Sequence, residues 1–368
     1  MIDGQFTLGV EEEYQIVHPE TRDLRSYVSE IMEEGGKTIL RERVRQELHQ
    51  SMVEVGTTVC RDIGEVRAQL TEMRGELDRL ARRGGLRIVA ASTHPFADWV
   101  TQPITEHERY ATIVNDMQDL ARANLIFGLH VHVGITEKQV AVALANQVRY
   151  FLPHLLALSC SSPFWLGRKT GLMSNRCHIF KRFPRTGIPD EFESHEQLEN
   201  LVKLLVKTGC IDNGKKIWWD VRPHYLYDTV EIRICDMPTQ IEDTVALVAL
   251  IQALMAKLYR MYKRNTGWRS YARSLIEENK WRAQRYGTDA RMIDFGMQAE
   301  RPFPELADEL VEFVAETSDQ LGTTDLLQRV RRIAREGTSA HRQIEVFERT
   351  QDTRAVVDWL MAETMRGV

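Results

Sequence analysis

Side chains alternate across a β-strand, so residues two apart share a face, and this rule constrains the chain more than any other feature of its sequence. In Gly9-Val-Glu-Glu-Glu-Tyr14, Glu11 and Glu13 fall on one face while Val10, Glu12 and Tyr14 fall on the other. His130 and His132 share a face in Gly128-Leu-His-Val-His-Val-Gly134, with Leu129, Val131 and Val133 opposite. Glu231 and Arg233 do the same in Val230-Glu-Ile-Arg-Ile234, and Asp220 and Arg222 repeat the arrangement. Four strand-like segments thus each set two ionisable groups against an apolar face fit to pack on helices.

A solvated strand face mixes Lys, Thr and Ser with Glu, whereas this one is built from Glu, His, Asp and Arg without a lysine. Clustered carboxylates repel by roughly 1 to 4 kcal/mol per close pair at effective dielectrics of 80 to 20, so they require compensating cations. Hard oxygen ligands select magnesium or manganese. Magnesium seldom accepts an all-protein cage, and nucleotide phosphates are the expected remaining ligands. Glu47 and Glu54 stand seven apart, two turns along one face of a helix if Gln46 to Thr57 is helical. That pair either joins the carboxylate set or marks an exposed helix edge. Two imidazoles on one face also suit zinc or non-haem iron. The surplus of glutamate favours the hard, multi-cation reading, and His132 is expected to hydrogen-bond within the polar face.

Around these segments the periodicities predict a strand over Phe6 to Val17 and a long amphipathic helix from Asp62 to Arg83, closed by Gly84 and Gly85. A strand over Leu86 to Ser92, a helix over Glu106 to Asn124 and a β-rich run over Leu125 to Ile135 follow. Next come a helix over Glu137 to Leu158, strands over Ile217 to Arg222 and Thr229 to Cys235, and helix from Gln240 almost to the end. Parallel strands are buried on both faces, so charge on one face predicts a mainly antiparallel sheet in an α+β fold with helices on its other side. No linker or repeat divides residues 1–368, so one domain is expected, mixed α/β to about 238 and helical over 239–368.

Composition excludes several partners. A net charge of -5 offers no basic field for nucleic acid. Met1 to Gly9 has no leader-like pattern and no apolar run approaches a bilayer span, so no membrane is implied and a cytoplasmic location is expected. Five scattered cysteines without a C-x-x-C pair argue against a disulfide framework or a structural zinc site. No Gly-x-x-x-x-Gly-Lys-Ser/Thr loop occurs, so any ATP site must be built from metal and arginine. Arg222, Arg233 and the arginines of the Gly- and Pro-punctuated stretch from Pro163 to Pro189 (Arg176, Arg182, Arg185) can supply forks for phosphate and carboxylate. That stretch reads as a loop able to cover the sheet face, with Thr170, Ser174 and Arg176 as candidate substrate contacts.

The chain resembles the bacterial glutamate-cysteine ligase type 2 family along most of its length. Thr7-Leu-Gly-Val-Glu-Glu-Glu-Tyr14, Ser51-Met-Val-Glu-Val55, Thr93-His-Pro-Phe96, Gly128-Leu-His-Val-His-Val-Gly134, Ser161-Ser-Pro163, Trp219-Asp-Val-Arg-Pro223 and Thr229-Val-Glu-Ile-Arg-Ile-Cys-Asp236 carry the resemblance. It implies a fold related to glutamine synthetase and glutamate-cysteine ligases, a curved sheet whose concave face holds ATP, two to three magnesium ions and an acid. It further implies Glu11, Glu13, Glu54 and Glu231 as metal-binding carboxylates, His130 as a metal or phosphate contact and Arg233 as the γ-phosphate contact. Glu47, where the family pattern has aspartate, joins the candidate metal set, and Arg222 joins the candidate nucleotide contacts. Gln50 stands where relatives often carry glutamate, and Glu12 where an apolar residue is common.

The expectation is an ATP-dependent ligase that joins a small carboxylate to an amine, both plausible amino acids, through an acyl phosphate, with Arg233, Glu231 and His130 at the chemistry. A homo-oligomer is compatible with the apolar helices. Two rival readings stay open: a His/Glu metallohydrolase that needs no nucleotide, and a non-catalytic binder of ATP or another small ligand.

Overall fold

The period-two segments pair with one another as their alternation demands. The computed structural model describes residues 6–368, so the first five residues of the Met1–Gly9 segment lie outside it. Its main sheet contains β1 (Leu8–Val17), β2 (Val44–Gln46), β3 (Met52–Gly56), β4 (Arg87–Val89) and β5 (Leu129–Gly134). Two short ribbons come between, β6 (Phe164–Trp165) with β7 (Arg168–Lys169) and β8 (Thr186–Gly187) with β9 (Trp218–Trp219). β10 (Val221–Pro223) and β11 (Thr229–Ile232) complete the main sheet. Its order is β10-β11-β5-β1-β3-β2, with β4 also on β1, and every pairing in it is antiparallel.

Register then stacks the ionisable groups. Glu11 lies opposite His130, Glu13 opposite Glu54, Glu231 opposite both His132 and Arg222, and Arg45 opposite Glu54. On the reverse face Val10, Tyr14, Val53, Val55, Val131, Val133, Val230 and Ile232 are buried against the helices Ile63–Arg83, Lys138–Val148 and Ile241–Lys263. The first of these starts where the Asp62 carboxylate accepts the Glu65 N–H and buries Val66, Leu70, Met73 and Leu77 at helical spacing. Arg82 and Arg83 occupy its last turn before Gly84. The helix Ile241–Lys263 is buried on nearly every side from Ile241 to Ala256, because the outer helices Phe303–Gln320 and Thr324–Glu336 cover what the sheet leaves exposed. None of the described helices is long and apolar enough to cross a membrane.

The structure corrects four sequence expectations. Gln46 to Thr57 is not helical: Val44, Val53 and Val55 draw it into the β2–β3 pair, with Glu47 in the connection and Glu54 mid-strand. The helix expected over Glu106 to Asn124 breaks at Gln118, whose φ of 51° no helix accommodates, into Glu108–Met117 and Asp119–Arg122. The helical C-terminal third is interrupted by a hairpin, Arg291–Asp294 with Ala299–Pro302. Asp220, placed by alternation beside Arg222, precedes β10 and pairs with the buried Lys280 at 2.6 Å.

Glu12 faces the helices, as alternation requires, and is fully buried. Its carboxylate accepts from Arg74 Nη2 at 2.6 Å, from Thr244 Oγ1 at 3.2 Å and from the Tyr14 hydroxyl. Arg74 also donates to Tyr14 Oη and to the carbonyls of Thr239 and Thr364. One ion pair thus ties β1 to the helix Ile63–Arg83, to the approach of the helix Ile241–Lys263 and to the C-terminal helix. Arg74→Leu strands a buried carboxylate and is expected to cost ~3–5 kcal/mol in urea unfolding, whereas pairing it with Glu12→Leu should recover much of that loss. Additive losses in the double variant would refute this account of the pair.

Candidate active site

The polar face of the sheet is the floor of a cleft of about 310 Å³. Its walls are the helix Glu108–Met117, which contributes Arg109, Tyr110 and Ile113, the helix Asn175–Phe180, which contributes Arg176 and Phe180, and the β10–β11 turn with His224 and Tyr227. A second cavity of about 430 Å³ adjoins it, between that turn and the helix His195–Lys207. The two share Arg222, His224, Leu226 and Tyr227 as a common wall.

On the floor, three overlapping groups of ligand atoms lie within 4.8 Å of one another: Glu11–Glu54–His130, Glu11–His132–Glu231 and Glu13–Glu47–Glu54. His130 Nδ1 lies 3.2 Å from Glu11 Oε2. His132 Nδ1 lies 3.1 Å from Thr229 Oγ1, the hydrogen bond within the polar face expected of it, and its Nε2 is 3.9 Å from Glu11 and 4.0 Å from Glu231. Carboxylate-rich donor sets of this kind, each with at most one imidazole, suit hard divalent cations.

Compensation is uneven across the floor. Burial raises the Glu231 carboxyl, but Arg233 and Arg222 outweigh it and hold the group far below its ordinary value. Arg222 Nε donates to Glu231 Oε2 at 2.7 Å, and Arg233 Nη1 donates to Oε1. Burial also works against Glu11, and hydrogen bonds with His130 and His132 hold it well below normal. At the other end burial and the Glu47 charge push Glu13 up to about 8. Burial likewise raises Glu47, and burial with the Glu11, Glu47 and Glu13 charges raises Glu54 well above normal. Burial, reinforced by Arg233, lowers His130 to about 4, so it is a neutral imidazole at physiological pH.

The structure brings Glu11, Glu13, Glu47, Glu54, His130, Arg176, Arg222, Glu231 and Arg233 to the cleft. Thr170 and Ser174 do not line it: Thr170 Oγ1 bonds the Pro163 carbonyl, and Ser174 Oγ bonds the buried Asp236 at 2.8 Å. Arg182 and Arg185 turn instead to the carbonyls of Ala123 and Lys216. Arg176 reaches the floor by donating to the carbonyls of Ile234 and Arg233 across Gly128. A β-carbon on Gly128 would lie 2.3 Å from its Nη2, so any larger residue there would displace the Arg176 guanidinium. Sequence reasoning missed Arg45, Arg109, Lys215, His224 and Tyr227, all of which line the cleft. Arg109, Tyr110 and Ile113 share a helical face, and that spacing was the one available signal.

Glu13, Glu47 and Glu54 hold protons more tightly in the folded chain than in the unfolded one, so their contribution to stability is lost as pH rises through their folded pKa values. The lowered Glu11 and Glu231 are ionised in either state above about pH 6.5, and the effects of the buried histidines fade about one unit above their unfolded value of about 6.5. From about pH 7.5 to 8.5 the metal-free protein should lose on the order of 1 kcal/mol, roughly one degree of Tm for a chain of this length. Added magnesium should cancel that loss, and a pH-independent Tm measured in a chelator would contradict the assignment.

Residues 7–359 match the model of glutamate-cysteine ligase family 2. A protein of Sorangium cellulosum, provisionally named glutamate–cysteine ligase 2, is 63% identical over 369 residues, covering all of this chain and 98% of that one. A protein of Solibacter usitatus with the same provisional name is 52% identical over 362 residues, covering 98% and 94%. Among solved structures, glutamate–cysteine ligase from Francisella tularensis in complex with AMP superposes with a TM-score of 0.73 at 12% identity, over 98% of this chain and 89% of that one. A bifunctional glutathione synthetase from Pasteurella multocida gives 0.72 at 12% identity, over 99% of this chain and 53% of that one. These two establish a shared fold.

Proposed function

Because the chain belongs to glutamate-cysteine ligase family 2, we propose that it is a carboxylate–amine ligase that uses ATP and magnesium, or manganese, to form an amide through an acyl phosphate. One observation carries the proposal: a carboxylate floor with three overlapping donor groups lies beside arginines in a cleft that adjoins a second cavity lined by aromatic side chains.

In this reading Glu11, Glu13, Glu47, Glu54 and Glu231, with His130, would hold two to three divalent cations, whose charge would offset that of a transferred phosphoryl group. Trp219, Tyr225 and Tyr227 line the second cavity and would offer ring faces to a nucleobase, with the phosphates toward the carboxylate floor. Arg233 contacts the γ-phosphate. Its Nη1 is fixed by Glu231, while its Nε has no partner among the described residues. Arg222 holds Glu231 from below, anchored on the carbonyls of Lys215 and Ile217, and so positions Arg233. Arg176 is the acid-side contact, and Thr170 and Ser174 shape the segment that presents it.

A carboxylate oxygen of the acid substrate attacks the γ-phosphorus in line, and the bond to ADP breaks. The amine then attacks the acyl carbon, phosphate leaves with the bridging oxygen, and the amine proton passes to phosphate or solvent. Amino acids are the proposed substrates, glutamate and cysteine the first pair to assay, and the cytoplasm the proposed location.

Acid substrate labelled with oxygen-18 in its carboxylate should deliver one labelled oxygen to inorganic phosphate, because the bridging oxygen leaves with phosphorus. Label found in AMP would mean adenylation, and substrate turnover without ADP release would favour a metallohydrolase. Arg233→Lys should lower kcat by orders of magnitude while changing ATP binding little, since an ammonium cannot reproduce the guanidinium fork. Wild-type kcat in that variant would reduce Arg233 to a structural partner of Glu231.

A further inference from the structure

The same guanidinium nitrogen of Arg45 lies 3.3 Å from Glu54 Oε1 and 3.5 Å from Glu11 Oε1. Those two carboxylates, with His130, form one of the donor groups on the floor. Arg45 therefore stands where a cation bridging Glu11 and Glu54 would exert its charge. Its setting differs from that of Arg222 and Arg233. Arg222 and Arg233 are 9% and 14% exposed and bind Glu231 from within the protein. Arg45 sits on β2, the edge strand, and its side chain is 55% exposed. Swinging it into water costs little, because an exposed guanidinium regains its hydration as it leaves.

From this contrast we infer that Arg45 is an exchangeable counter-ion: it lies against Glu11 and Glu54 in the metal-free protein and is displaced outward when a divalent cation takes those carboxylates. The inference rests on the metal-binding part of the proposed function. It makes Arg45 a competitor of the metal, so removing the side chain strengthens metal binding while weakening the metal-free fold. An arginine that organised the site would have the opposite effect on affinity.

The test is manganese binding to the full chain without nucleotide, read from the electron paramagnetic resonance signal of free Mn2+, in wild type, Arg45→Met and Arg45→Gln. Both variants should bind Mn2+ ~two- to fivefold more tightly, the weight of an exposed ion pair. Their Tm should fall below wild type in a chelator and converge with it at saturating Mn2+. Should Arg45→Met fail to fold, Arg45→Gln, which keeps a polar side chain on the edge strand, carries the comparison. Unchanged or weaker Mn2+ binding in the folded variants overturns the role of Arg45 and leaves the ligase proposal standing. A wild type that binds no Mn2+ overturns the metal part of both.

Discussion

Carboxylates crowded on one face of a sheet cannot all be ionised unless positive charge reaches them, and the surroundings of the cleft follow from that constraint. Glu231 has two arginines and Glu11 has two imidazoles. Among the described residues Glu13 accepts a hydrogen bond only from the Gly128 N–H, and Glu47 only from the Leu48 N–H. The face is therefore graded, from a compensated end at β10–β11 to a proton-holding end at the β2–β3 connection. A protein that bound no cation would gain nothing from that gradient, since each raised carboxyl is a group folded away from water without a permanent partner.

The reverse face supplies the rigidity that makes such crowding tolerable. Valine and isoleucine from β1, β3, β5 and β11 pack on helices that hold them fixed, and the Glu12–Arg74 pair fastens three separated segments to β1. A second anchor works from the other side: the Asp236 carboxylate accepts from the Ser161 N–H and from the hydroxyls of Ser162 and Ser174. That anchor fixes the start of the helix Asn175–Phe180, and with it Arg176. Ser174 thus serves the cleft by placing a guanidinium over Gly128 rather than by lining the cleft itself.

The two cavities divide the chemistry by polarity. Carboxylates and arginines floor the first, while Trp219, Tyr225, Leu198 and Val202 give the second a more apolar lining. Their common wall, the turn carrying His224 and Tyr227, stacks those two rings at 4.6 Å and sets His224 edge-on to His132. A ligand that is ionic at one end and aromatic at the other matches that sequence of surfaces.

Alternation is a local property, and so the sequence alone determined which side chains share a face: Glu11 with Glu13, His130 with His132, Glu231 with Arg233, and Glu12 turned to the core. Caps and helical spacing likewise marked the helix Ile63–Arg83 in advance. Resemblance to a family added roles that no spacing contains. Tertiary structure alone decided register, which set Glu13 against Glu54 and Glu11 against His130. A seven-residue spacing could not tell a helix from a strand and its connection at Glu47 and Glu54. Nor could the sequence reveal that Ser174 would turn to Asp236, 62 residues away, or that Arg45, Arg109 and Tyr227 would meet over one floor. Those encounters join an edge strand, a helix and a turn far apart along the chain, and they are set by packing and strand order, which no local period encodes.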